Sequence, residues 1–557
     1  MRYCLAFALT CLLASLGPAA PSWAAGPQPK ILFDPVVSRD VRLPDFSYAG
    51  YGFGEVALPK SSGTVIDVTR FGAVADDGRD DSAAVLAALA KANEVKGPVV
   101  LRFPAGRFIL SEVLLIERSH LVMEGAGQGA GGTELHFPRP LRMVDKSNRL
   151  ASLRAYLKDN DKRQVEPAHN INEPFSPYSW SGGFIWSKSP KMPADTEYAT
   201  ANSSDDAMQA MLGVADAQEL TVREGAGIRV GDVITIRWYS RDGRASALLR
   251  SIYGDQTTEI GSRLWESPER AIVKQTTRVT RVDAGRIRIA DKLLHDIGAD
   301  MPADIVQWQG LTEIGIRDLA LSFPAGTSFG HHLEEGWNGI CLTDVFNGWV
   351  SSVRISNADS GILIYNSASL TIRNITTEGE RRAHYSVHVG SAHNVLVSEL
   401  QVFNSVVHSL SFNTLSTRSV FQRASVFKDP VLDQHAGGNH QNLYDDLRLY
   451  INASPSKAGP TYALWDGSGA TYWQPGHGRF NTHWNIQVIV ISGASTVETV
   501  TLNGLDEGPD ARVVGISGNR DFRVDYRPVP YVEMVNSYPR DVPSLYDWQL
   551  SRRLKKN

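Results

Sequence analysis

Between residues 357 and 435 the chain carries Asn357, Asp359, Glu380, Arg381, Arg382, His384, His408, Asp433 and His435. These side chains suit proton transfer. Histidine titrates where one group can serve as base or acid near neutral pH. Arginine presents a planar fork to a carboxylate, and two carboxylates at the right separation can divide the acid and base roles between them. Just upstream, 330–338 adds His331, His332, Glu334, Glu335, Trp337 and Asn338. Groups this far apart in sequence act together only if the chain returns at a regular interval.

It does return. An apolar–x–x–apolar mark begins at Val350, Ile372, Val397, Phe421 and Tyr444, in steps of 22, 25, 24 and 23 residues. One β-rich run per period of that length indicates a solenoid. The runs are rich in Val, Ile and Leu and are punctuated by Asn, Gly and Ser, which favours a parallel β-helix over stacked helices. Residues at equal offsets from the mark then stack about 4.8 Å apart from coil to coil. Asn357 and Asp359 fall at +7 and +9, Glu380, Arg381, Arg382 and His384 at +8, +9, +10 and +12, His408 at +11, and Asp433 and His435 at +12 and +14. The offsets gather them on one side of the solenoid. The 330–338 loop enters one coil earlier, where Glu335, Trp337 and Asn338 would wall the end of a groove.

Around this core the chain divides into six parts: a signal peptide (1–25), an extended N-terminal segment (26–63), a cap with the first coils (64–144), an irregular region with a small antiparallel β-barrel-like insertion (145–300), the main β-helix (301–500), and a last coil with a capping helix (501–557). Arg2, the apolar run 5–16 and Ser22-Trp23-Ala24 have the order of an export signal. The run is too short to span a bilayer, so the expected product is exported, periplasmic or extracellular, with no membrane insertion. A formal charge of −4 leaves no basic surplus for nucleic acid. Of three cysteines, Cys4 and Cys11 leave with the signal. Cys341, inside Ile340-Cys341-Leu342, reads as a packing residue.

The string DVTRFGAVADDGRDDSAAVLAAL (67–89), followed by VVLRFPAGRFIL (99–110), resembles the opening of the pectate-lyase superfamily, in its rhamnogalacturonase/epimerase-like group. The resemblance implies an all-β, right-handed parallel β-helix whose first coils this segment caps. It also implies a polysaccharide partner, without selecting the reaction. The acidic run Asp76, Asp77, Asp80 and Asp81 reads as a helix N-terminus. Asn357-Ala-Asp359, Asp445-Asp446 and Gly476-His477-Gly478 occur in the order of the polygalacturonase motifs, but the first gap spans several coils and no Arg-x-Lys follows.

Two reactions compete on that fold. β-Elimination of a uronic-acid polysaccharide needs the substrate carboxylate neutralised, a base for the C5 proton and an acid for the leaving oxygen. Arg381 or Arg382 would meet the carboxylate, and His384, His408 and His435 would supply base and acid, with Asp433 beside them. Inverting hydrolysis instead needs two carboxylates about 6.5–9.5 Å apart, for which Glu380 and Asp433 are the pair. The histidine-rich column favours elimination without a metal. Calcium stays open as a cofactor, although no calcium-type set of acids is spelled. Zinc on His384, His408 and Asp433 would need stacking, since no short metal motif occurs. A third reading is a non-catalytic polysaccharide-binding solenoid that stacks sugars on Trp337, Trp349, Trp465 and Trp473.

Overall fold

The computed structural model describes residues 28–146, 150–164, 168, 170–172, 174–192, 207–223, 227–255, 260–504 and 508–556. The segment 1–25, expected to be a signal peptide, lies outside the described residues. Val350 pairs with Ile372, Ile372 with Val397, Val397 with Phe421 and Phe421 with Tyr444. The repeat is therefore the register of the largest sheet, which is parallel along its length and runs beside a second parallel sheet of eight strands. The chain is a parallel β-helix, as its opening motif implies.

The apolar–x–x–apolar mark has a conformational cause. On a regular strand, residues three apart point to opposite faces. Ser352, Asn374, Glu399, Arg423 and Asp446 sit at φ of 55, 55, 57, 51 and 55°. A residue in this left-handed region turns the strand around a corner. Both apolar residues of each mark then enter the interior, where Val350, Val353, Ile372, Ile375, Val397 and Leu400 are fully buried.

Two excursions leave the solenoid. Leu121–Glu124 pairs directly with Leu311–Ser322 in the first sheet. In the second, Leu114–Ile116 pairs with Ile185–Ser187, and that strand pairs with Asn338–Thr343. The later excursion closes into a six-stranded antiparallel barrel: Met208–Gly213, Glu219–Val222, Val233–Tyr239, Ala271–Asp283, Arg286–Ile289 and Ala303–Gln307. Asp291 fastens it to the coils. Its carboxylate accepts from Gln275 Nε2 (3.0 Å), Thr277 Oγ1 (2.5 Å) and Asn394 Nδ2 (2.8 Å), and His393 Nε2 lies 2.8 Å away. Burial alone would raise this carboxyl, but His393 and Thr277 hold it low. The earlier excursion carries the helix Ala151–Arg163 and the turn Pro177–Ser179, whose Leu153, Leu157 and Tyr178 join the solenoid's apolar cluster.

The ends differ in detail from expectation. The helix Ser82–Glu94 forms, but Asp81 does not cap it. Its carboxylate accepts from the N–H groups of Val74 (2.8 Å) and Ile109 (3.2 Å), tying the acidic turn to the strand Gly106–Ile109. The N-terminal segment is not wholly extended, since Lys30–Phe33 and Pro35–Asp40 are short helices. The C-terminal helix Leu545–Lys556 lies along the flank of the first sheet, in one apolar cluster with Ile31, Phe46, Val420, Leu443 and Trp484. Asp445 anchors it there, accepting from Ser544 Oγ (2.6 Å) and from the N–H groups of Leu545 (2.8 Å) and Tyr546 (3.2 Å).

Candidate active site

The first sheet keeps its register, but the connection to the second sheet shortens coil by coil. Thr377, Val402 and Val426 are aligned in the first sheet, and Val387, Leu410 and Leu432 in the second. The aligned positions are ten, eight and six residues apart in successive coils. Each step is even, so faces are preserved, but the stacked rows shift by two residues. The true rows are Leu363, His388, Ser411, Asp433 and Asp466, and Ser360, Tyr385 and His408. His388 and Tyr385 join the site for this reason.

These rows and the 330–338 loop bound a cavity of about 260 Å³. His331, His332, His384, Tyr385, His388 and His435 line it, and Trp180, Tyr472 and Trp473 form an aromatic wall. The rings are in contact. Tyr385 stacks on His384 and His408 at centroid distances of 4.4 and 5.1 Å, and His331 stacks on His332 at 3.9 Å. Asn413 Nδ2 donates to the Tyr385 hydroxyl at 3.2 Å. Burial pushes His331, His332 and His388 down to about 3, with neighbouring imidazoles adding to the shift for His331 and His332, and it holds His384 well below the ordinary histidine value. These four imidazoles are therefore neutral at physiological pH.

No carboxylate, arginine or lysine lines the cavity among the described residues. The acids stand one layer behind. Glu334 Oε1 is 3.1 Å from His384 Nδ1, and Asp433 Oδ1 is 3.4 Å from both His408 Nδ1 and His435 Nδ1. Burial raises Glu334. Burial also opposes ionisation of Asp433, but His408 and His435 outweigh it and keep that carboxyl well below its usual range. Ser411 Oγ donates to Asp433 Oδ2 at 2.5 Å, and Ser468 Oγ lies 3.1 Å from His435 Nδ1.

The residues singled out in the sequence separate into three groups. His384, His408, Asp433 and His435 meet at the cavity. A second group holds the loop that brings His331, His332 and Glu334 there. Asp359 accepts from the N–H groups of Gly336 (3.1 Å) and Trp337 (3.0 Å), and burial raises its carboxyl to about 6. Arg381 lies 3.7 Å from Asp359 and donates to the carbonyls of Pro324 (3.1 Å), Thr327 (3.0 Å) and Asn357 (3.3 Å), with its guanidinium over Trp337. Asn357 joins neighbouring turns through Phe323 O and Glu380 N–H. Asn338 donates to the carbonyls of Tyr178, Ser181 and Gly182, which seats the segment carrying Trp180. The third group is peripheral. Glu380 and Arg382 are exposed, and Glu335 pairs with Arg142. The sequence supplies the pairing of Glu380 with Asp433, but the fold exposes one and fully buries the other. Arg381 is spent on loop carbonyls, so neither arginine reaches the cavity.

Other sequence features fall elsewhere. Asp445 anchors the C-terminal helix, and His477 Nε2 lies 2.7 Å from the Tyr526 hydroxyl. The polygalacturonase-like triplets therefore do not assemble. Trp337, Trp349 and Trp465 are buried packing residues, while Trp473 is buried in the cavity wall. None of the four is an exposed sugar platform. Calcium takes about six to eight oxygen ligands, and an imidazole-dominated cluster does not fit it.

No family model and no curated protein matches the sequence. Among solved structures, the chain is similar to the tailspike protein gp49 from Pseudomonas phage LKA1, at 11% identity and a TM-score of 0.45 over 84% of this chain and 79% of that one. It is also similar to DFA-IIIase from Arthrobacter chlorophenolicus A6 without its lid, at 12% identity and a TM-score of 0.34 over 84% and 93%. The Azotobacter vinelandii mannuronan C-5 epimerase AlgE4 A-module matches at 12% identity and a TM-score of 0.30 over 83% and 91%. These likenesses concern the path of the chain.

Proposed function

We propose that this chain is an exported carbohydrate-active enzyme that cleaves a uronic-acid polysaccharide by β-elimination in the cavity between His384 and Trp473. The observation that carries the reading is the layering of the site. Imidazoles and a phenol face the cavity, and the carboxylates stand behind them. Inverting hydrolysis would require two carboxyl groups to flank the sugar, and among the described residues none lines the space. Elimination requires a base and an acid that can be neutral imidazole and phenol. The opening motif supports a polysaccharide as the substrate.

His384 is the base in this reading. Its Nδ1 lies 3.1 Å from Glu334 Oε1, and in this reading Nε2 carries the lone pair that takes the C5 proton. Tyr385, on the next residue and stacked on the same ring, protonates the leaving oxygen as the C4–O bond breaks and the C4–C5 double bond forms. Asn413 orients the Tyr385 hydroxyl. Asp433 lies between His408 and His435, with Oδ1 3.4 Å from Nδ1 of each.

The test is to incubate the purified protein with a panel of uronate polysaccharides and follow reducing ends together with the ultraviolet absorbance of the unsaturated uronate. The two signals are expected to rise together. New reducing ends without the absorbance would sink elimination in favour of hydrolysis. Retention on a polysaccharide column with neither signal would favour the binding solenoid.

A further inference from the structure

The contacts around Asp433 are poor hydrogen bonds at a specific separation. Asp433 Oδ1 is 3.4 Å from His408 Nδ1 and 3.4 Å from His435 Nδ1. Asp433 is fully buried, yet this oxygen has no hydrogen-bond partner among the described residues. Neither ring nitrogen of His408 has one either, although that side chain is 3% exposed. Leaving buried polar atoms unpaired costs free energy, and here two of them, Asp433 Oδ1 and His408 Nδ1, face each other. Around a tetrahedral ion with ligand bonds of about 2.0–2.2 Å, neighbouring ligand atoms lie about 3.4 Å apart. The two 3.4 Å separations match that edge.

We infer that Asp433, His408 and His435 hold one divalent transition-metal ion of the zinc class. Two imidazole nitrogens and one carboxylate oxygen form a donor set for such an ion, and all the ligand atoms lie within 4.8 Å of one another. Ser411, donating to the other Asp433 oxygen at 2.5 Å, fixes the carboxylate's orientation from behind. Ser468 Oγ, 3.1 Å from His435 Nδ1, must turn aside or become a neighbour of the ion. His435 and Ser468 line the cavity while Asp433 and His408 lie behind, so the fourth position opens toward the cavity. No short metal motif marks the site because its ligands come from two coils. His408 also belongs to a second group, of three imidazoles, with His331 and His384.

An ion there would meet the substrate carboxylate, a task that the buried Arg381 cannot perform. That role rests on the elimination reading, but the site itself does not.

The full chain, stripped with a chelator, is titrated with zinc(II) and with cobalt(II), whose visible spectrum reports tetrahedral coordination. We expect one tight equivalent with an intense tetrahedral cobalt spectrum. Asp433→Asn and His435→Gln should each weaken binding by about tenfold or more, while His120→Gln, an exposed histidine, should not change it. Absence of a tight equivalent in the unmodified chain overturns the site whatever the variants do. Equal affinity in the Asp433→Asn or His435→Gln protein, checked for folding by circular dichroism, also overturns it. Undiminished elimination by the stripped protein overturns the carboxylate role and leaves the site standing. Tight binding with no activity on any uronate overturns the elimination reading alone.

Discussion

At the scale of the residue, chemistry and support lie within a few positions of each other. His384 and Tyr385 face the cavity, while Arg381 and Asp359 hold the loop over it. Replacing His384 with Ala or Tyr385 with Phe is expected to lower kcat by about 10²- to 10⁴-fold, the range for a lost general acid or base. Glu380→Gln and Arg382→Gln should leave kcat within about twofold, since both side chains are exposed away from the cavity. Steady-state kinetics on the best uronate substrate checks all four, and a large loss in Glu380→Gln would restore the carboxylate pair. Half of this was legible in the sequence. His384, His408, Asp433 and His435 emerged from periodic spacing alone. Tyr385 and His388 did not, because stacking in the second sheet is shifted by a connection that shortens two residues per coil, and equal offsets are blind to that. Arg381 was legible as charged and near, but the carbonyls of Pro324 and Thr327 that claim it come from a loop whose path no pattern encodes.

At the scale of the element, the informative unit is the corner. Ser352, Asn374 and Glu399 occupy equivalent left-handed positions in successive coils, and the corner makes both apolar residues of each mark point inward. Asn374→Val should destabilise the coil by about 1–2 kcal/mol, because a branched side chain resists this conformation. Asn374→Gly should cost less, losing mainly the 3.1 Å bond from Asn374 Nδ2 to Ser352 Oγ. Thermal melts of the two variants decide this, and a Gly variant less stable than the Val variant would contradict the corner account. The marks were readable because this geometry imposes a three-residue spacing on the core. The C-terminal helix was readable as an element from its amphipathic sequence, but its seat was not. That depends on Asp445, which looks in sequence like part of an acidic pair and in the fold receives the helix N-terminus.

At the scale of the whole molecule, the solenoid, the barrel and the covering segment form one body with many neutral histidines inside. Burial lowers His295, His440, His477 and His483, the second to about 4 and the last to about 3. Their folded values lie below the unfolded value of about 6.5. The stability they contribute is thus complete above pH about 6.5 and is lost as pH falls, by about 1.4 kcal/mol per pH unit for each group. Asp359 and Asp445, raised to about 6 and about 7, act with the opposite sign but are fewer. The melting temperature should therefore fall steeply between pH 6.5 and 4, and a flat profile by calorimetry would contradict the buried neutral imidazoles. The central claim, elimination by the residues facing the cavity, is tested most directly by digesting a uronate polysaccharide in heavy-oxygen water and weighing the products. Elimination predicts unsaturated fragments with no heavy oxygen at the new ends. Saturated fragments carrying one heavy oxygen per cleavage would contradict it.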